Sequence, residues 1–246
     1  MDVITAFWEA LAVETAGPGA DPALLPQHLT CAASAVLDVD GVGLSVHSQR
    51  GQRTPLAASN AGAGDAERIQ FTVGSGPCLL AAAVELPIFA TDELIARRWP
   101  AFHETLGRAT PIRSILALPL PGRLRRVAVL DLYFTDPYGA ISIDIEQARL
   151  VVRLVAEELD RAAHWAQSDD TGVPDWWDTP AASERGRLWV AVGMVTAALH
   201  VSASDALALL RAHAYGSDRT VDDLAADVVN RQVTLNDLGV DDLGGR

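Results

Sequence analysis

The sequence predicts an α+β fold: a mostly antiparallel sheet flanked by helices, followed by a small all-α three-helix bundle. Three observations lead there. Short alternating or β-branched segments between residues 42 and 134 are bracketed by helical patterns, as when helices pack on a sheet. Residues 168–180 form a polar break containing Pro and Gly, which reads as a linker. From residue 183 onward the apolar residues recur at helical spacing alone.

The elements follow in order. Residues 3–13 place Ile4, Phe7, Trp8 and Leu11 on one helical face, and Gly17-Pro18-Gly19 ends that helix. Asp21-Pro22 supplies an N-cap with Pro at the first helical position, opening a helix that buries Leu25, Leu29, Ala32 and Val36. After Asp40-Gly41 the pattern becomes strand-like, with 54–59 the expected hairpin partner of 42–46. Residues 60–64 read as a turn-rich loop. Further strands are expected at 87–90, 115–120 and 127–134, with 91–107 helical or irregular. A long helix over 144–165 carries Ile145, Ala148, Val152, Val155, Leu159 and Ala162 on one stripe.

Beyond the break, which holds Trp176-Trp177, the apolar stripe Leu188, Ala191, Val192, Val195, Leu199 marks a first helix. Ser202-Ala203-Ser204-Asp205 and Thr220-Val221-Asp222-Asp223 both have the capping-box form, so they open a second and a third helix. Tyr215-Gly216-Ser217-Asp218 separates these two. The expected division is 1–167, linker 168–180, bundle 181–235 and tail 236–246.

Charge narrows the function classes. The net charge is −13, and all 19 basic residues are Arg, so strong nonspecific nucleic-acid binding is disfavoured while a small specific patch is not. Two cysteines, Cys31 and Cys78, give neither a disulfide framework nor zinc spacing, as expected of thiols in a cytoplasmic protein. The residues after Met1 lack a basic n-region, so no signal peptide is expected. The uncharged stretch between Arg187 and Asp205 reads as a buried helix and turn rather than a membrane span. There is no nucleophile elbow, no His-Glu-x-x-His and no Rossmann glycine fingerprint, so no enzyme is expected. The scattered histidines indicate no metal, and no nucleotide cofactor is indicated either.

Residues 184–233 resemble the ANTAR family of RNA-binding antitermination domains. Arg185, Leu188, Ala191-Val192-Gly193-Met194-Val195, Ala206-Leu207, Leu209-Leu210-Arg211-Ala212-His213-Ala214 and Leu224-Ala225-Ala226-Asp227-Val228-Val229 carry the resemblance. It implies a three-helix bundle that binds tandem RNA hairpins in a nascent transcript and keeps a terminator from forming. The RNA-contacting residues it suggests are Arg185, Arg187, Ala191, Gly193, Arg211 and Arg219. Guanidinium groups suit phosphates and unpaired bases, while solvated surface Arg is the commoner fate. Gly193 sits mid-helix at a cost of about 1 kcal/mol against Ala, explained either by helix–helix packing or by a close RNA approach. The chain departs from the family at Val192 and Ala198, and Asp and Glu outnumber Arg here.

Residues 22–165 resemble the GAF domains that actinobacteria fuse to ANTAR domains. The carrying segments are Gly41-Val42-Gly43-Leu44-Ser45-Val46, Gly74-Ser75-Gly76-Pro77-Cys78, Arg98-Trp99-Pro100-Ala101-Phe102 and Ile112-Arg113-Ser114-Ile115-Leu116-Ala117-Leu118-Pro119-Leu120, then Val129-Leu130-Asp131-Leu132-Tyr133. Such domains hold a small ligand or serve as dimerisation scaffolds. The resemblance implies a ligand pocket near Cys78, Trp99, Phe102 and Arg113, and a homodimer; Trp99, Phe102 and His103 either line that pocket or are core, the commoner place for an aromatic cluster. The loop at Gly74–Cys78 lacks the spacing and Lys of a phosphate-binding loop, and reads as a turn that starts a helix. A thiol at that helix N-terminus is either a stabilised, redox-sensing thiolate or a packed thiol. Together the two resemblances imply a signal-responsive antitermination regulator. The alternative is a sensor and dimerisation scaffold whose bundle has lost RNA binding and docks on a protein partner.

Overall fold

The computed structural model describes residues 2–16, 21–47, 53–166 and 180–233; side chains are described for these except Pro22, 164–166 and 180–185. The expected linker, its tryptophan pair and the tail lie outside the described residues. The α+β class stands: a five-stranded antiparallel sheet lies between helices, and three further helices follow.

Five strands, β1 (Gly41–His47), β2 (Arg53–Ala58), β3 (Ile88–Ala90), β4 (Ser114–Pro119) and β5 (Ala128–Phe134), pair in the order β2-β1-β5-β4-β3. Every neighbouring pair is antiparallel, and the β1–β2 register shifts between Leu44 and Ser45. Side chains alternate across a strand, so each strand feeds two faces. Val42, Leu44, Val46, Leu116, Leu118, Leu130 and Leu132 face one apolar layer. It is completed by Phe7 and Leu11 of α1 (Val3–Glu14), Leu29 of α2 (Leu25–Val36) and Val151, Val155 and Leu159 of α8 (Ile145–Ala166).

The opposite face is different. There β1 presents Gly43, Ser45 and His47, and β5 presents Asp131 and Tyr133. This face meets α3 (Ala61–Val73), α4 (Pro77–Val84), α5 (Asp92–Arg98) and α6 (Pro100–Ala109). A short α7 (Gly139–Ser142) packs beside β4 before α8 begins.

Helix α3 begins where a loop is expected. The Asn60 side chain accepts from the Ala63 N–H and caps its first turn, so Gly62 and Gly64 are drawn into a helix despite their propensity. Tertiary burial explains this. Ala63, Ala66, Glu67, Ile69, Gln70, Phe71 and Thr72 are all buried, because α3 has the sheet on one side and the C-terminal helices on another. Gly74 ends it in the left-handed region at φ 73°, its N–H reaching the Gln70 and Phe71 carbonyls.

The last three helices are α9 (Pro180–Leu199), α10 (Ala203–Gly216) and α11 (Val221–Val229). Ser202 accepts from the Asp205 N–H and Thr220 from the Asp223 N–H, so both expected caps form. Leu188, Val192 and Val195 of α9 pack against Leu210 of α10 and Leu224 and Val228 of α11. The cluster also takes in Phe71 of α3, so the bundle completes its core on the sheet-bearing part of the chain. No single helix among the described residues is long and apolar enough to cross a membrane.

Candidate functional site

Between the sheet and α3 lies a buried ionic cluster that no linear motif announced. Arg53 on β2 is fully buried; its Nη1 donates to the Glu67 carbonyl at 3.0 Å and its Nη2 pairs with the Glu67 carboxylate. Asp131 Oδ2 lies 3.6 Å from the same guanidinium, and the Tyr133 hydroxyl donates to Glu67 Oε1 at 2.5 Å. Gly43 on β1 makes this arrangement fit, since a Cβ there would overlap the Glu67 side chain. One guanidinium thus faces two carboxylates away from water. Burial first, and Glu67 second, push the Asp131 carboxyl well above the usual carboxylate range, with Arg53 opposing.

Next to it sits a second polar group. Cys78 Sγ lies 3.4 Å from Ser45 Oγ and 3.5 Å from His47 Nε2, and the Cys78 N–H donates to Gln70 Oε1 at 3.0 Å. Burial, then the Arg53 charge, lowers the His47 pKa to about 3, so its imidazole is neutral. Burial raises the Cys78 thiol well above its ordinary value despite Arg53. The N-terminus of α4 therefore does not make a thiolate of Cys78, because desolvation outweighs the helix end.

On its far side α3 meets the bundle along a seam. The Arg211 Cζ stands 4.3 Å from the Phe71 ring centroid, a cation–π contact, and the guanidinium lies against Gly74. The Val221 N–H donates to Thr72 Oγ1 at 3.0 Å, and Arg108 on α6 pairs with Asp218 at 2.9 Å. Arg211 is half-buried, and its Nε is buried without a hydrogen-bond partner. Among the described residues no carboxylate lies within ion-pair distance of it. Burial and then the Arg53 charge lower its pKa to about 10, with Asp222 opposing. The like charge of Arg53 thus adds to burial in disfavouring the Arg211 cation.

Two clefts open along the seam. One, of about 300 Å³, has Arg108, Tyr215, Asp218 and Arg219 in its wall. The other, of about 390 Å³, lies between Val73, Gly74 and Ala101 on one side and Ala208, Arg211 and Tyr215 on the other.

The residues singled out by sequence scatter over this framework. Of the bundle set, Ala191 is buried in the core, Arg211 turns inward onto α3, and Arg219 pairs with Asp227 at 2.6 Å. Arg187 is exposed beside a groove that also contains Asp65, Arg68, Asp222 and Asp223. The Arg185 side chain lies outside the described residues. Gly193 is exposed, with nothing among the described residues within 4 Å of where a Cβ would stand, so packing against the described helices does not explain it. Of the pocket set, Cys78 is in the polar group above. Trp99 and Phe102 are buried in an apolar cluster with Ile95 and Ile115. Arg113 is held by its own loop, donating to the Thr110 and Ile112 carbonyls at 3.1 and 2.8 Å. His103 Nε2 meets Asp92 Oδ1 at 2.9 Å. Cys78 itself is fully buried, packed with Ala81, Ala117 and Val129. Sequence reading passed over Arg53, Glu67 and Phe71; Asp131 left a trace as a lone carboxylate among the apolar residues of its strand.

The chain is similar to several solved structures. The GAF domain of a phosphoenolpyruvate-protein phosphotransferase from Coxiella burnetii aligns at 15% identity and TM-score 0.48, covering 68% of this chain and 97% of that one. The GAF domain of an Acinetobacter phosphoenolpyruvate-protein phosphotransferase aligns at 14% identity and TM-score 0.42, covering 65% and 94%. An RNA-binding Light-Oxygen-Voltage receptor aligns at 18% identity and TM-score 0.20, covering 77% of this chain and 46% of that one. No protein-family model matches the sequence, and no curated protein matches it.

Proposed function

We propose that the chain is a signal-responsive RNA-binding regulator of transcription antitermination. In this reading it belongs to the GAF–ANTAR kind: the sheet-bearing part senses, helices α9–α11 bind tandem RNA hairpins, and the docked bundle is the restrained state. The protein performs no catalysis of its own and works in the cytoplasm as a homodimer. The observation that carries the reading is the placement of Arg211. The ordered ANTAR-like motifs suggest this residue as an RNA contact, and here its guanidinium is half-buried at the seam, against Phe71 and Gly74. A half-buried cation without a paired carboxylate is an expensive arrangement, and an RNA phosphate or loop base would relieve it. Phe71, Thr72 and Glu67 sit on one helix, so α3 is the element that joins the ionic cluster to the seam in this reading.

One observation favours a second reading. Arg219 is already paired with Asp227, and Arg187 shares its groove with three aspartates. Arginines already matched by aspartates at these two positions suit a protein partner, in a sensor and dimerisation scaffold. The test is a gel shift of the full chain against an RNA with two adjacent hairpins and against a single-hairpin control, over a salt series. Binding that needs both hairpins and falls with salt supports the antiterminator. No binding at low salt, by the wild type or by a variant whose seam is opened, leaves the scaffold.

A further inference from the structure

The clefts along the seam lie apart from Cys78, and the larger shares Arg211 with the RNA-binding reading. The larger one combines three features. Its charged wall residue is Arg211, which has no carboxylate within ion-pair distance among the described residues, Asp222 acting on it from farther away. The rest of its wall is mostly small or apolar, with Val73, Gly74, Ala101, Ala208 and Ala212, and is completed by Thr72 and Tyr215. Finally, the wall is assembled from both parts of the chain, α3 and α6 on one side and α10 on the other.

We propose that this cleft binds a small monocarboxylic acid with a compact apolar body, its carboxylate on Arg211 and its body among Val73, Ala101 and Ala208. A planar guanidinium fork matches a carboxylate with two parallel hydrogen bonds. The depressed pKa of Arg211 agrees with a cation lacking its counter-ion. The singly charged head is favoured over a phosphate because the chain carries a net charge of −13 and Asp222 already faces Arg211. The acid touches both walls at once, so it holds the bundle against α3. It is therefore an effector that stabilises the docked state, at a place distinct from the space between sheet and α3. The site stands on the cleft alone; its effect on RNA rests on the reading above.

The experiment is isothermal titration of the full chain with benzoate, benzamide and inorganic phosphate as probes. Benzoate is expected to bind, with benzamide and phosphate weaker by about tenfold to a hundredfold, the range set by a charge-assisted hydrogen-bond pair and by the apolar body. Arg211→Gln is expected to reduce benzoate affinity by a similar factor. Ala208→Leu keeps Arg211 and fills the cleft from the exposed face of α10, so it gives the same loss without touching the seam core. Arg187→Gln leaves the affinity unchanged. Equal binding of benzoate and benzamide, or unchanged affinity in both Arg211→Gln and Ala208→Leu, overturns the site. Phosphate binding tighter than benzoate overturns the carboxylate assignment. No heat with benzoate at millimolar concentrations overturns the proposal and leaves the gel-shift result untouched.

Discussion

Phe71→Ala removes one ring from the seam and tests how the two parts of the chain are joined. Phe71 is 1% exposed, and its apolar neighbours include Leu188, Leu210 and Leu224 of the bundle. Truncating a buried Phe to Ala costs about 3–5 kcal/mol, and the lost cation–π contact with Arg211 adds roughly 0.5–2 kcal/mol. The ring belongs to α3 while its packing partners belong to α9–α11, so most of this cost falls on docking rather than on the sheet. At about 1.4 kcal/mol per factor of ten, even the lower figure weakens docking by more than a hundredfold. Hydrogen exchange followed by mass spectrometry resolves the two parts. Backbone amides of α10 and α11 are expected to lose protection, while those of β1, β4 and β5 keep it. A uniform loss across sheet and bundle, or no loss anywhere, would refute the assignment of Phe71 to the seam.

Other substitutions probe single links. The His47 pKa is lowered from 6.5 to about 3, so its stabilising effect is complete above pH 6.5 and is lost as pH falls toward 3, where the unfolded chain takes up a proton the folded one refuses. Between pH 7 and pH 4 this amounts to ~3 kcal/mol, and urea melts of His47→Asn are expected to show a correspondingly flatter pH dependence; an identical slope would sink the linkage. Thr72→Val leaves the Val221 N–H without its acceptor and is expected to cost about 1–3 kcal/mol, seen as a lower urea midpoint. Gly74→Ala puts a Cβ at φ 73° and 3.1 Å from an Arg211 nitrogen. It is expected to cost about 1–2 kcal/mol for the left-handed backbone, less if Arg211→Gln is made first.

The fold was legible where local chemistry and burial agree. Val42, Leu44 and Val46 alternate because one face of β1 is apolar core, and Ser202 and Thr220 cap their helices whatever packs around them. Residues 60–64 misled because two glycines there signal a turn, while the burial that makes them helical comes from distant segments. The ionic cluster was hidden for a related reason. Arg53, Glu67 and Asp131 are far apart in sequence; the pairing of β1 with β2 and β5 and the packing of α3 on that sheet bring them together. Arg211 looked like any helix-surface arginine, since periodicity reports how polar a face is and not which neighbour covers it. Gly193 was placed correctly on its helix, but its open surroundings could not be read from the helix alone.

The central claim is that docking against α3 restrains an RNA-binding bundle. The most direct measurement compares wild type and Phe71→Ala for binding to a two-hairpin RNA at one low salt concentration. The account predicts that the variant binds at least about tenfold more tightly, because docking no longer competes with RNA for Arg211. Equal affinity, or no binding by either protein, would contradict it.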